Sequence, residues 1–489
     1  MIDRDIAAAA KREFDVAIIG GGIHGASLLQ QAARRGLSAI LCEAEDFGGA
    51  TSWNTLRILH GGLRYLQSLN LARFYQSARA RRRLAQQFPS LVRPLSCLMP
   101  LYGRGLKRPS VLRAGLIISD ALDRRRNSGL IEALHLPDGS VLDAVATRLA
   151  FPMVRTAGLQ GAASWSDYFM VSSERMLIER LHDACGRGAL ACNYASVDDI
   201  ATEGRRTRGL KVRDRLSGET FAIAARQVVN CAGSLVRSLA RGRGGDAERL
   251  FHPSLAFNLL LDISLPESPA LAVAAPGTDA PVLFLLPQPE TLLAGTMHLA
   301  RADDAVEARP TGAEIQLFLD QLNSAVPGLG ATPDRVLRVF AGLLPAAAPG
   351  SADLAQREAS IDHGARGGVN GLYSVSGVKF TTAGEVAGRL LTRMGHAERE
   401  AEPVSELRLA SGTDVLTDSR RLWTEDEAVL GATLQRLVQE EAVHSLDDLV
   451  LRRSNWAVAE RDLDRLRDRV RQFVGLPERV AAEADRGRL

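Results

Sequence analysis

Cysteine is scarce and scattered. The five residues Cys42, Cys97, Cys185, Cys192 and Cys231 form no C-x-x-C pair, which leaves no spacing for a zinc or iron–sulfur site and no disulfide framework. A reducing compartment, the cytoplasm, is the expected home. No apolar run reaches the roughly 18 residues of a membrane span, and the short alanine run after Met1-Ile2-Asp3-Arg4-Asp5 is too weak for a signal peptide. Charge of one sign is also lacking: 60 Lys and Arg against 57 Asp and Glu leave a dispersed +3, which gives no electrostatic footprint for nucleic acid. What remains is an ordinary globular composition, 46% hydrophobic and 24% charged, over 489 residues, enough for two or three cores.

The first strong pattern lies near the N-terminus. Phe14 to Ile19 is a mostly apolar run suited to a buried parallel strand. Gly20-Gly21-Gly22-Ile23-His24-Gly25 follows at once as G-x-G-x-x-G. A helical pattern then carries Ile23, Ala26, Leu29 and Ala33 on one face, and a second strand, Ser38 to Cys42, ends in Glu43. Each part has a task in dinucleotide binding. Gly20 permits the tight turn, Gly22 lets a pyrophosphate approach the backbone, and Gly25 lets helix and strand pack closely. The helix N-terminus offers free N–H groups and partial positive charge, and Glu43 can accept the ribose hydroxyls. A lone glycine turn is the bland alternative; strand, helix and acid in order favour the dinucleotide. The pattern alone does not separate FAD from NAD.

Further strings make that separation. Ala50-Thr51-Ser52 is followed by Leu59-His60-Gly61-Gly62-Leu63-Arg64-Tyr65-Leu66. Trp165-Ser166-Asp167 and Ser173-Glu174-Arg175, then Val228-Val229-Asn230-Cys231-Ala232-Gly233, then Ser374-Val375-Ser376-Gly377-Val378-Lys379-Phe380-Thr381-Thr382 come later. Together these resemble the FAD-dependent glycerol-3-phosphate dehydrogenase family, within the wider D-amino-acid-oxidase and glycine-oxidase fold group. Glu441-Ala442-Val443-His444, Asp447-Asp448 and Arg452-Arg453 resemble that family's C-terminal helical domain. The likeness runs from about residue 14 to about 460.

The resemblance implies an α/β fold: a Rossmann-like FAD-binding domain (about 1–70, 165–250 and 340–400) interleaved with an antiparallel-sheet substrate domain (about 71–164 and 251–339), and a C-terminal helical domain at 401–489. Strand-like runs at Phe257 to Leu261, Val282 to Leu286 and Leu292 to Thr296 fit the sheet, and Leu434 to Ala442 and Val458 to Val474 read as helices. The cofactor implied is FAD, held by Gly20, Gly22, Gly25, Glu43, Thr51, Ser52, His60, Gly61, Gly62, Val197, Ala232, Gly233, Gly342, Gly377, Lys379, Phe380 and Thr381. The reaction implied is oxidation of a small secondary alcohol, sn-glycerol 3-phosphate to dihydroxyacetone phosphate, by hydride transfer to the flavin. Arg64, Arg357 and Lys379 are the expected anion-binding cations. His60 is either a proton acceptor or a ring packed on the flavin. His298, after Gly295-Thr296-Met297, stands where the family has G-T-T-D and is a further site candidate. His24, where the family has Asn, reads as a helix-start residue.

The chain also departs from the family. Ala341-Gly342-Leu343-Leu344-Pro345 replaces an S-G-V-R-P string, so Leu344 stands where a substrate-site arginine is expected. Losing the partner of a bound anion costs on the order of 2–5 kcal/mol. A different hydroxy acid or amine as substrate, or a flavin-binding subunit without turnover, therefore remains open. A basic stretch, Arg104, Lys107, Arg108, Arg113, Arg124, Arg125 and Arg126, surrounds the apolar Ala114 to Ile118 and suits an anionic bilayer or a solvated helix face. Expected partners are thus a small-molecule substrate, quinone or oxygen as electron acceptor, a membrane surface in peripheral contact at the inner face of the cell membrane, and a second copy in a homodimer. Neither metal nor nucleic acid is expected.

Overall fold

The computed structural model describes residues 1–63, 65, 70–103, 105, 108–244, 247–265, 268–277, 280–397, 407 and 414–480. Two sheets dominate. The first has a parallel core in the order Leu372–Ser376, Thr220–Asn230, Glu13–Ile19, Ala39–Cys42, Leu190–Cys192, with Ala359–Asp362 antiparallel on one edge. The central strands are buried almost throughout because both faces are covered. On one face lie the helices Ile23–Arg34, Ser173–Gly186 and Ala383–Arg393. Across the other runs an antiparallel layer, Ala195–Glu203 with Arg206–Asp214, continuing into Thr220–Asn230. Alanines and Gly25 on the first helix allow it to pack closely against its neighbours, and the Ser172 hydroxyl caps the second by accepting from the Arg175 amide at 3.0 Å.

The second sheet has nine strands and is antiparallel except where Ala270–Val273 runs beside Val92–Leu101. Its long strands are Pro253–Leu261, Leu292–Ala300, Val336–Pro345, Val92–Leu101 and Gly161–Met170. The sheet also takes in Ile58–Leu59. Thus Ile58–Leu59, Gly161–Met170 and Val336–Pro345 belong to the second sheet, although the sequence expectation gives all of the first and parts of the other two to the flavin-binding part. One face packs on the helix Gly312–Ala325 through Phe318, Leu319 and Leu322 against Phe257 and Leu259. The opposite face receives the C-terminal helices, with Trp456, Leu430, Leu434 and Leu449 packed around Phe340, Leu260 and Leu293.

Among the described residues of the C-terminal region the helices are Glu427–Glu440, Leu446–Arg452, Trp456–Ala459 and Leu463–Arg471, preceded by the four-residue helices Asp414–Thr417 and Arg421–Thr424. The continuous helix expected from Val458 to Val474 is broken at Glu460–Asp462. There Asp462 starts a new helix, its carboxylate accepting from the Arg465 amide at 2.9 Å.

Candidate active site

The glycine loop sits at the C-terminal edge of the parallel strands. Gly20 adopts φ +99°, and a Cβ there would lie 2.6 Å from the Cys231 carbonyl oxygen. A Cβ on Gly25 would come within 1.9 Å of the Gly20 oxygen, so only glycine lets the helix begin this close to the strand. Gly22 is the N-cap residue and supplies no side-chain cap. The Ile23 amide instead donates to the Ser52 hydroxyl at 2.9 Å, so Ser52 stands at the helix N-terminus. Glu43 accepts from the Gly21 amide at 2.5 Å and from the Glu45 amide at 2.9 Å. Burial raises its pKa more than these bonds lower it. Each carboxylate oxygen keeps lone-pair capacity for a further donor. Ala195, two residues before Val197, donates to the Glu43 carbonyl at 2.7 Å. Ala232 and Gly233 follow Cys231 in the turn above Gly20, where the Ala232 amide meets the buried Asn230 side chain at 3.2 Å.

His60 ends the short strand Ile58–Leu59. Its ring is half-exposed, its Nδ1 lies 3.3 Å from Asp167 Oδ2, and it tilts against Phe284 with ring centres 5.0 Å apart. Asp167 is only 3% exposed and accepts three further bonds: from the Gly61 amide (2.7 Å), Arg81 Nη1 (2.6 Å) and Trp165 Nε1 (3.1 Å). Burial pushes its pKa up, but the bonds from His60 and Gly61 and the Arg81 charge more than offset this, holding it below the usual carboxylate range. Arg81 continues to Asp123 at 2.8 Å. Gly61 must be small: a Cβ there would lie 2.3 Å from Arg81 Nη1. Gly62 packs on Phe74 and Ser77 of the helix Leu71–Gln87. Both glycines of this string are therefore required by the Asp167–Arg81 network and its helix, whatever further contact they make.

The strand Leu372–Ser376 leads into the turn bearing Gly377, Lys379, Phe380 and Thr381, and the helix Ala383–Arg393 follows. Lys379 Nζ donates to the Tyr65 hydroxyl and lies 4.4 Å from that ring's centre. Phe380 packs between the helix cluster and the Leu59–Tyr168 cluster, and Thr381 is half-buried. Gly377 faces the glycine loop: a Cβ on it would lie 1.8 Å from His24 Nε2. Burial drives the His24 pKa down to about 4, so the ring is neutral at pH 7, and its buried Nδ1 has no hydrogen-bond partner among the described residues.

In the second sheet Gly342, Ala256 and His298 are directly opposed on adjacent strands, so their side chains share one face. Gly342 meets Thr51, whose hydroxyl donates to the Leu343 carbonyl at 3.1 Å. Asn258, on the same face, donates to the Asn54 carbonyl at 3.0 Å and accepts from Thr296 at 2.8 Å. Leu344, two residues beyond Gly342, points to this face as well. His298 and Leu344, both departures from the family, thus share the face that meets residues 51–54. Arg357 is exposed in the loop before Ala359–Asp362, beside Glu358, which pairs with Arg389. Arg64 lies outside the described residues.

Tyr65 and Asp167 stand within the H-G-G-L-R-Y and W-S-D strings, where nothing local gives them a role. Tyr65 is the partner of Lys379, and Asp167 is the acceptor on which His60, Gly61, Arg81 and Trp165 converge. The signal for Asp167 is weak, since 107 positions separate it from His60. The one available clue is that Asp167 is the single charged residue of the strand Gly161–Met170.

The tight Gly20–Gly25 contact, the helix start without an N-cap side chain and the Glu43 carboxylate at the strand end fit a dinucleotide with its pyrophosphate at the helix N-terminus. Comparison with known proteins agrees. A family model described as FAD dependent oxidoreductase matches residues 15–394. A glycerol-3-phosphate dehydrogenase of Synechocystis is 28% identical over 81% of this chain and 72% of its own length. Glycerol-3-phosphate dehydrogenase 1 of Mycobacterium bovis is 30% identical over 78% of this chain and 72% of its own. Among solved structures, the glycerol-3-phosphate dehydrogenase of Bacillus halodurans complexed with FAD superposes with a TM-score of 0.64 at 22% identity, covering 97% of this chain and 82% of that one. Glycine oxidase of Geobacillus kaustophilus gives 0.56 at 17%, covering 82% and 100%. The dinucleotide of the glycine loop is therefore FAD, and the chain belongs to the FAD-dependent oxidoreductase family.

Proposed function

We propose that this protein is a dehydrogenase that oxidises sn-glycerol 3-phosphate to dihydroxyacetone phosphate. The observation that carries the reading is His60, held at Nδ1 by buried Asp167 with its ring half-open to solvent. A secondary alcohol must lose a hydroxyl proton as its C–H is oxidised, and an imidazole oriented by a carboxylate is suited to take it. FAD, when bound, supplies the two-electron acceptor. Asp167 keeps the ring oriented through its contact with Nδ1. Lys379, beside Tyr65, together with Arg64 and Arg357, supplies positive charge for a phosphate dianion. The relatives named glycerol-3-phosphate dehydrogenase support this substrate.

Leu344 and His298 favour a second reading, in which the substrate is a different small hydroxy acid or an amine. An apolar side chain in place of the family arginine removes one donor to an anion, while a histidine adds a titratable group on the same sheet face.

Quinone or oxygen is the electron acceptor in this proposal, and the protein works in the cytoplasm as a homodimer at the inner face of the membrane. The helix Pro109–Leu122 supports peripheral contact: it exposes Ile117 and Ile118, with Arg113 on the helix and Arg124 and Arg125 just beyond it, while Arg104 and Lys107 lie outside the described residues. Arg126 turns instead to Asp120 at 2.7 Å. Among the described residues no helix is long and apolar enough to cross a membrane.

The test is anaerobic reduction of the purified yellow protein by sn-glycerol 3-phosphate. Bleaching within seconds is the expected result. A flavin that stays oxidised, but bleaches with another hydroxy acid, polyol phosphate or amine, overturns the substrate. One that bleaches with none of them points to a flavin-binding subunit.

A further inference from the structure

The loop that follows Glu43 is stitched on two sides. On the inner side the Gly48 amide donates to the Gly21 carbonyl at 3.1 Å and Glu43 holds the Gly21 amide, so residues 43–48 back the glycine loop directly. A Cβ on Gly21 would lie 2.8 Å from the Glu43 side chain and 3.0 Å from Phe47. On the outer side stands Asp46, fully buried. Its carboxylate takes two parallel bonds from Arg453, Nη1 to Oδ2 at 2.6 Å and Nη2 to Oδ1 at 2.8 Å. Arg452 Nε (3.1 Å) and Asn193 Nδ2 (2.8 Å) add two more. Arg453 is itself fully buried and donates to the Glu441 carbonyl at 2.9 Å. The Glu441 side chain is gripped by Arg175 through two bonds of 2.8 Å.

These C-terminal residues lie beyond 394, outside the span that the family model matches. Docking of the C-terminal helices does not require them, because Trp456, Leu430, Leu434 and Leu449 already bury an apolar face against the second sheet. Burying ionised groups carries a desolvation penalty that apolar residues of similar size avoid. What a two-pronged Arg–carboxylate pair supplies in return is fixed geometry. Here that geometry is imposed on the loop carrying the ribose acid.

We propose that Arg453 is a positioning residue for the cofactor: through Asp46 it holds residues 43–48, and with them Glu43 and Gly21, in the shape that binds the adenosine half of FAD. The C-terminal helical region is then a working part of the dinucleotide site, not a separate appendage. This inference rests on FAD binding alone and is independent of the substrate.

The experiment measures FAD itself. Holoenzyme carrying Arg453→Lys, and separately Arg453→Ala, is diluted and flavin release is followed by fluorescence; the stripped proteins are then titrated with FAD. Lysine keeps the buried charge and loses only the two-pronged grip. Release at least ten-fold faster and a correspondingly weaker dissociation constant in Arg453→Lys, with an unchanged far-UV circular dichroism spectrum, is the expected result. A variant that melts earlier yet binds FAD within two-fold of the unaltered protein overturns the proposal and leaves a pair that only docks helices. If neither variant folds, hydrogen exchange on the unaltered protein decides. FAD must raise protection at both 43–49 and 441–453, and protection confined to 43–49 overturns the proposal.

Discussion

Consider replacing His24 with asparagine. His24 stands in the first turn of the glycine-loop helix with Nδ1 buried and Nε2 turned to Gly377, and burial lowers its pKa from 6.5 to about 4. Above pH 6.5 both folded and unfolded chains carry a neutral ring, and the residue is indifferent to pH. As pH falls from 6.5 towards 4 the unfolded chain takes up a proton that the folded chain refuses, so stability drops. Below 4 the folded protein is protonated too and the loss levels off. At about 1.4 kcal/mol per pKa unit, the difference amounts to about 3 kcal/mol. Urea unfolding at intervals from pH 7.5 to 4.0 measures it. The unaltered protein is expected to lose about 3 kcal/mol more than His24→Asn across that window, with the two curves parallel above pH 7. Curves parallel throughout would refute the reasoning, because the imidazole would then be as free to charge in the folded protein as in the unfolded one.

Asp167→Ala removes the acceptor shared by Gly61, Arg81, Trp165 and His60; a loss of about 3–5 kcal/mol in unfolding free energy is expected. Asp167→Asn keeps an acceptor but not the charge. It is expected to fold and yet to slow reduction by substrate on the order of 100-fold, as stopped-flow absorbance will show; an unchanged rate would remove Asp167 from the proton-accepting unit. The carboxyls of Asp46 and Glu441 are held low by Arg453 and Arg175 in spite of burial. Their contribution is complete above the unfolded carboxylate range near pH 4 and is lost as pH falls towards the folded values. A melting-temperature series from pH 6 to 3 should show an acid limb that is shallower in Glu441→Gln.

The glycine loop was legible in the sequence because its demands are local. The positive φ at Gly20 and the close Gly20–Gly25 approach are set within six residues, and the buried strands show as apolar runs. The apolar runs 257–261, 282–286 and 292–296 marked three antiparallel strands in the same way, and the strands themselves span 253–261, 283–287 and 292–300. Their register was not. The row Gly342–Ala256–His298 depends on pairing between segments more than forty positions apart, and apolar pattern alone does not fix it. His60 stood out through its string, but its partner Asp167 is 107 positions away and Arg453 is 407 away from Asp46. Contacts at that range leave no local trace beyond the oddity of charge in a buried segment. The break before Asp462 was missed because the apolar spacing continues across it, and only the cap marks a new start.

The bond between Asp46 and Arg453 also has a consequence for how the chain is made. During synthesis the N-terminal strand, the glycine loop and Glu43 emerge early, but the arginine that neutralises Asp46 follows about 400 residues later, roughly 20–80 s at ribosomal speeds of 5–20 residues per second. Through that interval the nascent first layer holds a carboxylate destined for a dry interior with no counter-charge to meet it. On the role proposed for Arg453, stable closure of the loop, and with it tight loading of the cofactor, waits until residue 453 has been made.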